Sequence, residues 1–191
     1  RSGNRGTCAQ PCRMPYSIVN LHDGKLINNK FEKKHLLSTK DLCTIEDIEK
    51  VIDSGIETLK IEGRMKRPEY VALVVSKYRK ALDRGSSEIT GEDKKELLQI
   101  FNRGFTKGYL FGDFGKNFIS LDRPDNRGVY IGKVKNIDYR NMYIELVEDV
   151  DIGDGLELTA TSGEYVGIVS NSSNNKGTTL KLDKIKNIDI E

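Results

Sequence analysis

The chain has 191 residues, of which 37% are hydrophobic and 31% are charged. This composition is typical of a protein that folds in water around an apolar core, and the length allows one large domain or two small ones. The net charge is only +2, which excludes a general electrostatic attraction to nucleic acid, so any basic surface must be local. No apolar run approaches the roughly 20 residues that span a bilayer, so we expect no membrane partner.

The first six residues contain no methionine, no apolar stretch and no cleavage signal. Their composition is that of a loop. We therefore expect the chain to be the carboxy-terminal fragment of a longer protein located in the cytoplasm.

The three cysteines are Cys8, Cys12 and Cys43. A disulfide framework in a small secreted protein needs an even and denser set. Cys8 and Cys12 share a short loop stiffened by Pro11, and two thiolates at this spacing can face one metal centre. Ordinary unpaired thiols have the same spacing, so both interpretations stay open. Cys43 precedes a predicted helix, and we expect it to pack in the core as a small apolar residue.

The first half of the chain alternates predicted strands and helices. Alternating residues 16–21 and 25–28 flank a turn and predict a hairpin. Apolar residues at helical spacing predict three helices, which begin at Thr44, Pro68 and Thr90 and end at Gly55, Gly85 and Gly104. Residues 56–63 form a predicted strand between the first two helices. This order favours an α/β fold, with βα units from part of a TIM-like barrel.

Two of these helices carry a predicted capping box. Thr44 precedes Asp47 by three residues, and Thr90 precedes Asp93 by the same interval. In a capping box the two side chains satisfy backbone N–H groups at the start of a helix.

The composition changes in the last third of the chain. Periodicity fades over residues 113–127, which we interpret as a linker between a barrel domain of residues 1–112 and a second domain of residues 128–191. The second domain contains five predicted strands, at residues 129–134, 142–147, 155–159, 165–170 and 178–182. Short strands at regular spacing predict a small all-β barrel of the oligonucleotide-binding or translation-factor type.

The densest group of candidate functional residues is the segment 60–67. At the carboxyl end of a barrel strand, Lys60 and Glu62 would face the active site and could meet as an ion pair, which makes them the predicted catalytic residues. Arg64 and Lys66 would gather at a helix amino terminus, where a phosphate or an RNA backbone is favoured. A structural salt bridge beside a solvated basic turn fits the same spacing, and both interpretations stay open.

A second candidate is the segment 101–109, in which aromatic and basic residues alternate. This pattern suits stacking on nucleic-acid bases, with Asn102 and Arg103 as substrate-binding residues, but the aromatic residues could equally close a barrel. His22 and His35 are isolated, so we expect surface or capping roles for them. The sequence contains no serine-esterase elbow, zinc-protease helix or phosphate-binding glycine loop.

Four segments, residues 1–13, 35–42, 60–66 and 102–105, together resemble one family. It is the collagenase-like peptidase family, the thirty-second group of peptidases of unknown catalytic type. The resemblance covers residues 1–130 strongly and the β-domain more loosely. It implies a TIM-like barrel in the parent protein.

The relatives in this family include proteins that hydroxylate transfer RNA, ribosomal RNA or a ubiquinone precursor without oxygen. These similar proteins bind an iron–sulfur cluster through four cysteines, two of them upstream of the position where this chain begins. The resemblance implies Cys8 as one ligand. Cys12 matches a cysteine that is common in the RNA-hydroxylating branches and absent elsewhere, and Cys43 lies where several relatives lack cysteine.

The resemblance therefore predicts an iron–sulfur-dependent enzyme that hydroxylates transfer or ribosomal RNA. The first alternative is a metal-assisted collagenase-like protease that acts on a peptide substrate. The second is a non-catalytic module that binds RNA or protein. We expect the fragment alone to be inactive and to bind no cluster, and its unpaired sheet edges would favour a homo-oligomer.

Overall fold

A computed structural model describes residues 3–27 and 32–185. The chain forms two compact units, Arg1–Val129 and Tyr130–Glu191. Residues 113–127, predicted to be a linker, belong to the first unit. Within this segment Ser120 is fully buried, and its backbone N–H donates to the carbonyl of Ser38 over 2.7 Å. The segment is therefore held by the first unit and does not span free space.

Three helices pack together in the first unit. They are α1 (Ile48–Asp53), α2 (Pro68–Arg84) and α3 (Gly91–Ile100), and one 3₁₀ turn, Ile45–Asp47, leads into α1. Their buried faces form an apolar cluster of Ile45, Ile48, Val51, Val74, Ala81, Ile89 and Leu97. Cys43 packs against this cluster, which confirms its predicted place in the core.

Only one of the two predicted capping boxes is formed. Thr90 Oγ1 accepts the Asp93 N–H over 3.1 Å, and Asp93 Oδ2 accepts the Thr90 N–H over 2.8 Å. The prediction at Thr44 was wrong, because the Thr44 side chain makes no cap hydrogen bond. The Asp47 carboxylate instead forms ion pairs with Lys50 and Lys107.

Strand β1 (Asp41–Leu42) pairs in parallel with β2 (Phe105–Thr106), and the helices lie between them in the sequence. This order confirms a mixed fold of helices and strands, but the described residues form no closed barrel. The strand predicted at residues 56–63 is not formed, because this segment shares no ladder hydrogen bonds with any described strand.

The predicted amino-terminal hairpin forms through isolated bridges. Val19 pairs with Leu26, and the Ile27 N–H donates to the carbonyl of Ile18 over 3.0 Å. The last predicted residue of the hairpin, Asn28, lies outside the described residues.

The described residues of the second unit form five strands, and each overlaps one of the five strands predicted there. They are β3 (Gly132–Ile137), β4 (Asn141–Leu146), β5 (Gly155–Thr159), β6 (Tyr165–Val169) and β7 (Thr179–Asp183). All pairings are antiparallel, in the orders β3-β4-β7 and β5-β6. The predicted barrel is not seen, because no pairing between described strands joins these two sheets.

Alternate residues of these strands form the core of the second unit. Along β4, Met142, Ile144 and Leu146 are buried, as period-2 alternation requires. Gly132 begins β3 where β3 and β4 approach each other closely, and a Cβ there would lie 2.2 Å from the carbonyl oxygen of Glu145.

No helix within residues 3–27 and 32–185 is both long enough and apolar enough to cross a membrane.

A charged group joins α2 to α3. The buried carboxylate of Asp93 accepts hydrogen bonds from Lys77 Nζ at 2.7 Å and Lys80 Nζ at 2.6 Å. These two cations, together with the Thr90 N–H, hold the pKa of Asp93 well below its usual range. The carboxylate therefore stabilises the fold in its charged form.

We expect Asp93→Asn to lower the free energy of unfolding by about 1–3 kcal/mol at pH 7, since both lysines lose their shared anion. Because the folded-state pKa is lowered, the stabilisation is present above the unfolded pKa of about 3.9 and is lost as the pH falls. The difference from wild type should therefore shrink as the pH falls below about 5. Urea unfolding followed by circular dichroism measures both effects.

The matched control is Asp83→Asn, which breaks an exposed pair with Arg79 on the surface of α2. Exposed pairs contribute less than about 1 kcal/mol. Equal losses in the two variants would contradict the role given to Asp93.

Candidate active-site cleft

A cleft of about 870 Å³ in the first unit brings most of the predicted site residues together. Its walls come from the loop of the two cysteines, from β1, from the segment before α2 and from the chain just after α3. The predicted site residues that line it are Cys8, Cys12, Lys60, Glu62, Arg64, Lys66 and Arg103. Residues from four separate parts of the sequence thus share one surface.

The cysteine loop, residues 8–13, is turned by Gln10, whose φ of 50° is left-handed. The Gln10 backbone N–H donates to Cys8 Sγ over 3.3 Å. Both thiols are free, and Cys8 is half-buried while Cys12 is exposed. Both thiols are therefore accessible to a metal centre bound in the cleft.

Arg13 anchors this loop to the rest of the unit. Its guanidinium donates to Ser38 Oγ at 2.8 Å and to the carbonyl of Thr39 at 2.7 Å. The Arg13 carbonyl lies 2.9 Å from His35 Nδ1. His35 therefore has a structural contact, and neither it nor His22 lines the cleft.

The predicted ion pair between Lys60 and Glu62 is not formed. Glu62 Oε1 instead accepts the backbone N–H of Arg64 over 2.7 Å. Without a neighbouring strand to fix residues 56–63, the carboxylate folds back on its own chain, as acidic side chains do in turns. Lys60 and Glu62 both line the cleft, and their catalytic roles stay a prediction.

A tight turn follows Glu62 and sets the position of Lys66. The Lys66 N–H donates to the carbonyl of Gly63 over 3.0 Å, and Met65 has a φ of 63°. Residues other than glycine rarely adopt this left-handed conformation, which concentrates at functional sites. A Cβ at Gly63 would lie 2.7 Å from Val71 Cγ2, so only glycine lets the turn approach α2 this closely.

Lys66 Nζ lies over the ring of Phe101, and the guanidinium carbon of Arg103 lies 5.0 Å from the centroid of the same ring. Tyr70 meets Phe101 edge-on, with the ring centroids 6.3 Å apart. No carboxylate among the described residues forms an ion pair with Lys66. Burial, with the positive charge of Arg103, lowers the pKa of Lys66 to about 8.

Asn102, predicted to bind substrate, does not line the cleft. Its side chain is buried, and Nδ2 donates to the carbonyls of Leu98 at 2.6 Å and Gly128 at 2.9 Å. Its Oδ1 accepts the Gly104 N–H over 3.0 Å. Both amide hydrogens are used, so the structure gives Asn102 a scaffolding role.

Asp41 and Tyr70 also line the cleft, although neither is predicted as a site residue from the sequence. The Asp41 carboxylate accepts from the Arg103 guanidinium and, over 2.8 Å, from the Arg103 backbone N–H. Asp41 lies in one of the four segments that carry the family resemblance. Its partner is 62 residues away, so no local spacing could show the pair.

Comparison with known proteins supports the resemblance. Residues 1–119 match the model of peptidase family U32. The chain belongs to peptidase family U32. All four segments that suggested the family lie within the matched residues.

Three relatives illustrate the range of this family. An uncharacterized protease of Methanocaldococcus jannaschii is 36% identical over 169 residues, which are 81% of this chain and 40% of the relative. A collagenase of Porphyromonas gingivalis is 39% identical over 116 residues, 58% of this chain and 28% of the relative. A 23S rRNA 5-hydroxycytidine synthase of Escherichia coli is 31% identical over 191 residues, 93% of this chain and 28% of the relative.

The chain therefore spans 28% to 40% of the length of these relatives. Their names include both proteases and an RNA-modifying enzyme. No solved structure matches the chain.

We expect the rate at which Lys66 reacts with an amine-directed reagent to rise with pH and to have its midpoint near the pKa of about 8. An ordinary lysine has a pKa of about 10.4, so far less of it is neutral at that pH. Competitive acetylation between pH 7 and pH 10, read by mass spectrometry, gives the titration midpoint. Phe101→Ala should raise the midpoint because it exposes the ammonium group to water.

Phe114→Ala, which removes an aromatic ring that does not line the cleft, is the matched control and should leave the midpoint unchanged. A wild-type midpoint near 10 would contradict the burial of Lys66. Since the folded-state pKa is lowered, this group should also make the fold more stable as the pH rises from about 8 toward 10.

Proposed function

We propose that this chain carries part of the active site of a cytoplasmic enzyme that hydroxylates RNA and depends on an iron–sulfur cluster. The supporting observation is that two free thiols share one cleft with basic and aromatic side chains. The similarity to a ribosomal RNA hydroxycytidine synthase supports the same class of reaction. The proposed substrate is transfer or ribosomal RNA.

Cys8 and Cys12 fit part of a cluster ligand set. Iron–sulfur clusters are normally held by four thiolates, and the described residues place two thiols on this cleft. Cys43 does not fit, because burial raises the pKa of its thiol and it packs in the core. The remaining ligands would come from outside the described residues. A cluster bound here would supply electron transfer.

The side chains of this chain would bind the RNA and would accept or donate protons. A Cβ on Gly3 would lie 3.2 Å from the Arg64 guanidinium and 4.0 Å from Cys8 Cβ, so Arg64 lies near the start of the cysteine loop and can meet a phosphate there. Lys66, with a pKa of about 8, can hold or release a proton at Nζ near neutral pH. Phe101 and Tyr70 offer aromatic surfaces on which a base can stack.

The alternative function is metal-assisted proteolysis. The names of two relatives, a protease and a collagenase, favour it. In this chain Glu62 is the cleft carboxylate that could assist a metal-bound water, because Asp41 is already paired with Arg103 and Asp125 with Arg123. The two candidate functions therefore make different demands on Cys8 and Glu62.

We expect Cys8→Ala to lose iron and visible colour in protein expressed from the complete gene and purified without oxygen. The thiolate would be a direct ligand, and the half-built ligand set cannot replace it. The measurement is an iron count with an absorption spectrum. Cys43→Ala removes a thiol from the core and should keep its iron. If Cys8→Ala keeps all of its iron, the cluster proposal is wrong and a non-catalytic binding module becomes the better account.

The same preparation should leave gelatin intact. Neither histidine lines the cleft, so a histidine base for a nucleophile is not available there among the described residues. Gelatin cleavage that disappears in Glu62→Gln and survives in Glu69→Gln, an exposed carboxylate of α2, would establish the protease instead. The readout is gel electrophoresis of the digested gelatin.

A further inference from the structure

A second cavity, of about 530 Å³, opens next to the cleft and is called here the aromatic groove. Five residues line both cavities: Arg13, Asp41, Leu42, Arg103 and Leu110. The groove is completed mainly by Lys40, Tyr109 and Phe118. A molecule bound in the groove would therefore touch the same wall as one bound in the cleft.

Two aromatic rings, Tyr109 and Phe118, line the groove, and Phe114 packs against Tyr109 beside it. The centroid of Tyr109 lies 4.6 Å from that of Phe118 and 5.3 Å from that of Phe114. Tyr109 is 65% exposed and Phe114 is 61% exposed, so two rings of the cluster present large surfaces to solvent. Clustered apolar rings that are exposed on a folded unit are a candidate binding surface.

The loop that carries these rings is held in place. Asp113 Oδ2 accepts hydrogen bonds from Thr106 Oγ1 and from the Lys107 N–H, both over 2.7 Å. Gly108, with a φ of 66°, lets the chain turn directly before Tyr109. The rings are thus presented by an ordered loop next to β2, and their exposure does not come from a loose chain.

The charge of the groove identifies the kind of partner. Its lining contains three cations, Arg13, Lys40 and Arg103, and one carboxylate, Asp41. That carboxylate is already bound to Arg103, and Arg13 donates to neutral oxygens. Exposed aromatic rings beside an excess of positive charge suit a single-stranded nucleic acid, whose bases stack while its phosphates meet the cations. An apolar protein segment would gain nothing from these charges.

We propose that the aromatic groove binds the single-stranded RNA segment that flanks the nucleotide held in the cleft. This inference rests on the proposed function and names the form of its substrate. Bases of the flanking segment stack on Tyr109 and Phe114, and a phosphate meets Lys40. The wall at Arg103 then separates the flanking bases from the reacting one.

The test is fluorescence anisotropy. It uses a labelled oligouridine of about 12 nucleotides and protein expressed from the complete gene. Tyr109→Ala and Phe114→Ala should each weaken binding by roughly 5- to 100-fold, because each loses one stacking surface. Tyr109→Phe keeps the ring and should bind like wild type. Lys40→Gln should lower the slope of log affinity against log salt by about one.

The matched control is Tyr139→Ala, which removes a ring that is 92% exposed in the second unit, and it should bind like wild type. Unchanged affinity in both alanine variants would overturn the inference, as would wild-type protein that fails to bind at micromolar concentration in low salt. A change of oligomeric state in Tyr109→Ala on gel filtration, with oligouridine affinity retained, would assign the groove to a protein contact instead.

Iron counts on the same preparations separate this inference from the proposed function. If wild-type protein holds iron but the groove variants bind oligouridine normally, the groove inference fails and the proposed function stands. If no preparation holds iron while Tyr109→Ala still loses affinity, the cluster proposal fails and the RNA-binding groove stands. Circular dichroism confirms folding, and Tyr109→Leu replaces Tyr109→Ala if the latter does not fold.

Discussion

The arrangement of the first unit depends on the pairing of Asp41 with Arg103. Both side chains are largely buried, at 20% and 14% exposure, and the carboxylate accepts from both the guanidinium and the backbone N–H of Arg103. The pair lies where β1 meets β2, so it fixes the end of α3 against β1 across 62 residues of sequence. A buried ion pair of this kind tolerates the loss of neither partner, because the other charge is left without compensation.

The candidate site takes its electrostatics from that pair. Arg103 lies over Phe101. Burial is the largest cause of the lowered pKa of Lys66, the positive charge of Arg103 is the second, and the negative charge of Asp41 raises this pKa. The cysteine loop is fixed nearby, because Arg13 binds the chain at Thr39, two residues before Asp41. Thiols, lysine and aromatic rings are thus all positioned with reference to the short strand β1. A site built on one rigid element needs little reorganisation when a ligand arrives.

Local sequence patterns predicted the elements correctly where contacts between residues near in sequence determine the structure. The capping box at Thr90 and the five strands of the second unit follow from side-chain spacing and turn residues alone. The strand at residues 56–63 failed because a strand needs a neighbour, which no pattern within the segment can supply. The Lys60–Glu62 pair failed with it, because the alternation of a strand is what would have put both side chains on one face. Asn102 was misjudged since polarity does not tell a ligand-binding amide from a buried one that satisfies backbone carbonyls.

The two cavities together address a cost that any enzyme acting on an RNA base must meet. Reaching a base requires pulling it out of its stack, at a few kcal/mol in rough terms. Stacking on protein aromatics contributes about 1–3 kcal/mol per base, so rings in the cleft and at the aromatic groove can offset the unstacking of a base and its neighbours. Phe101 is half-buried and has Lys66 and Arg103 near its ring, whereas Tyr109 and Phe114 are mostly exposed. On the proposed function, the half-buried ring therefore faces the base held in the cleft, while the exposed rings are open to any neighbouring base.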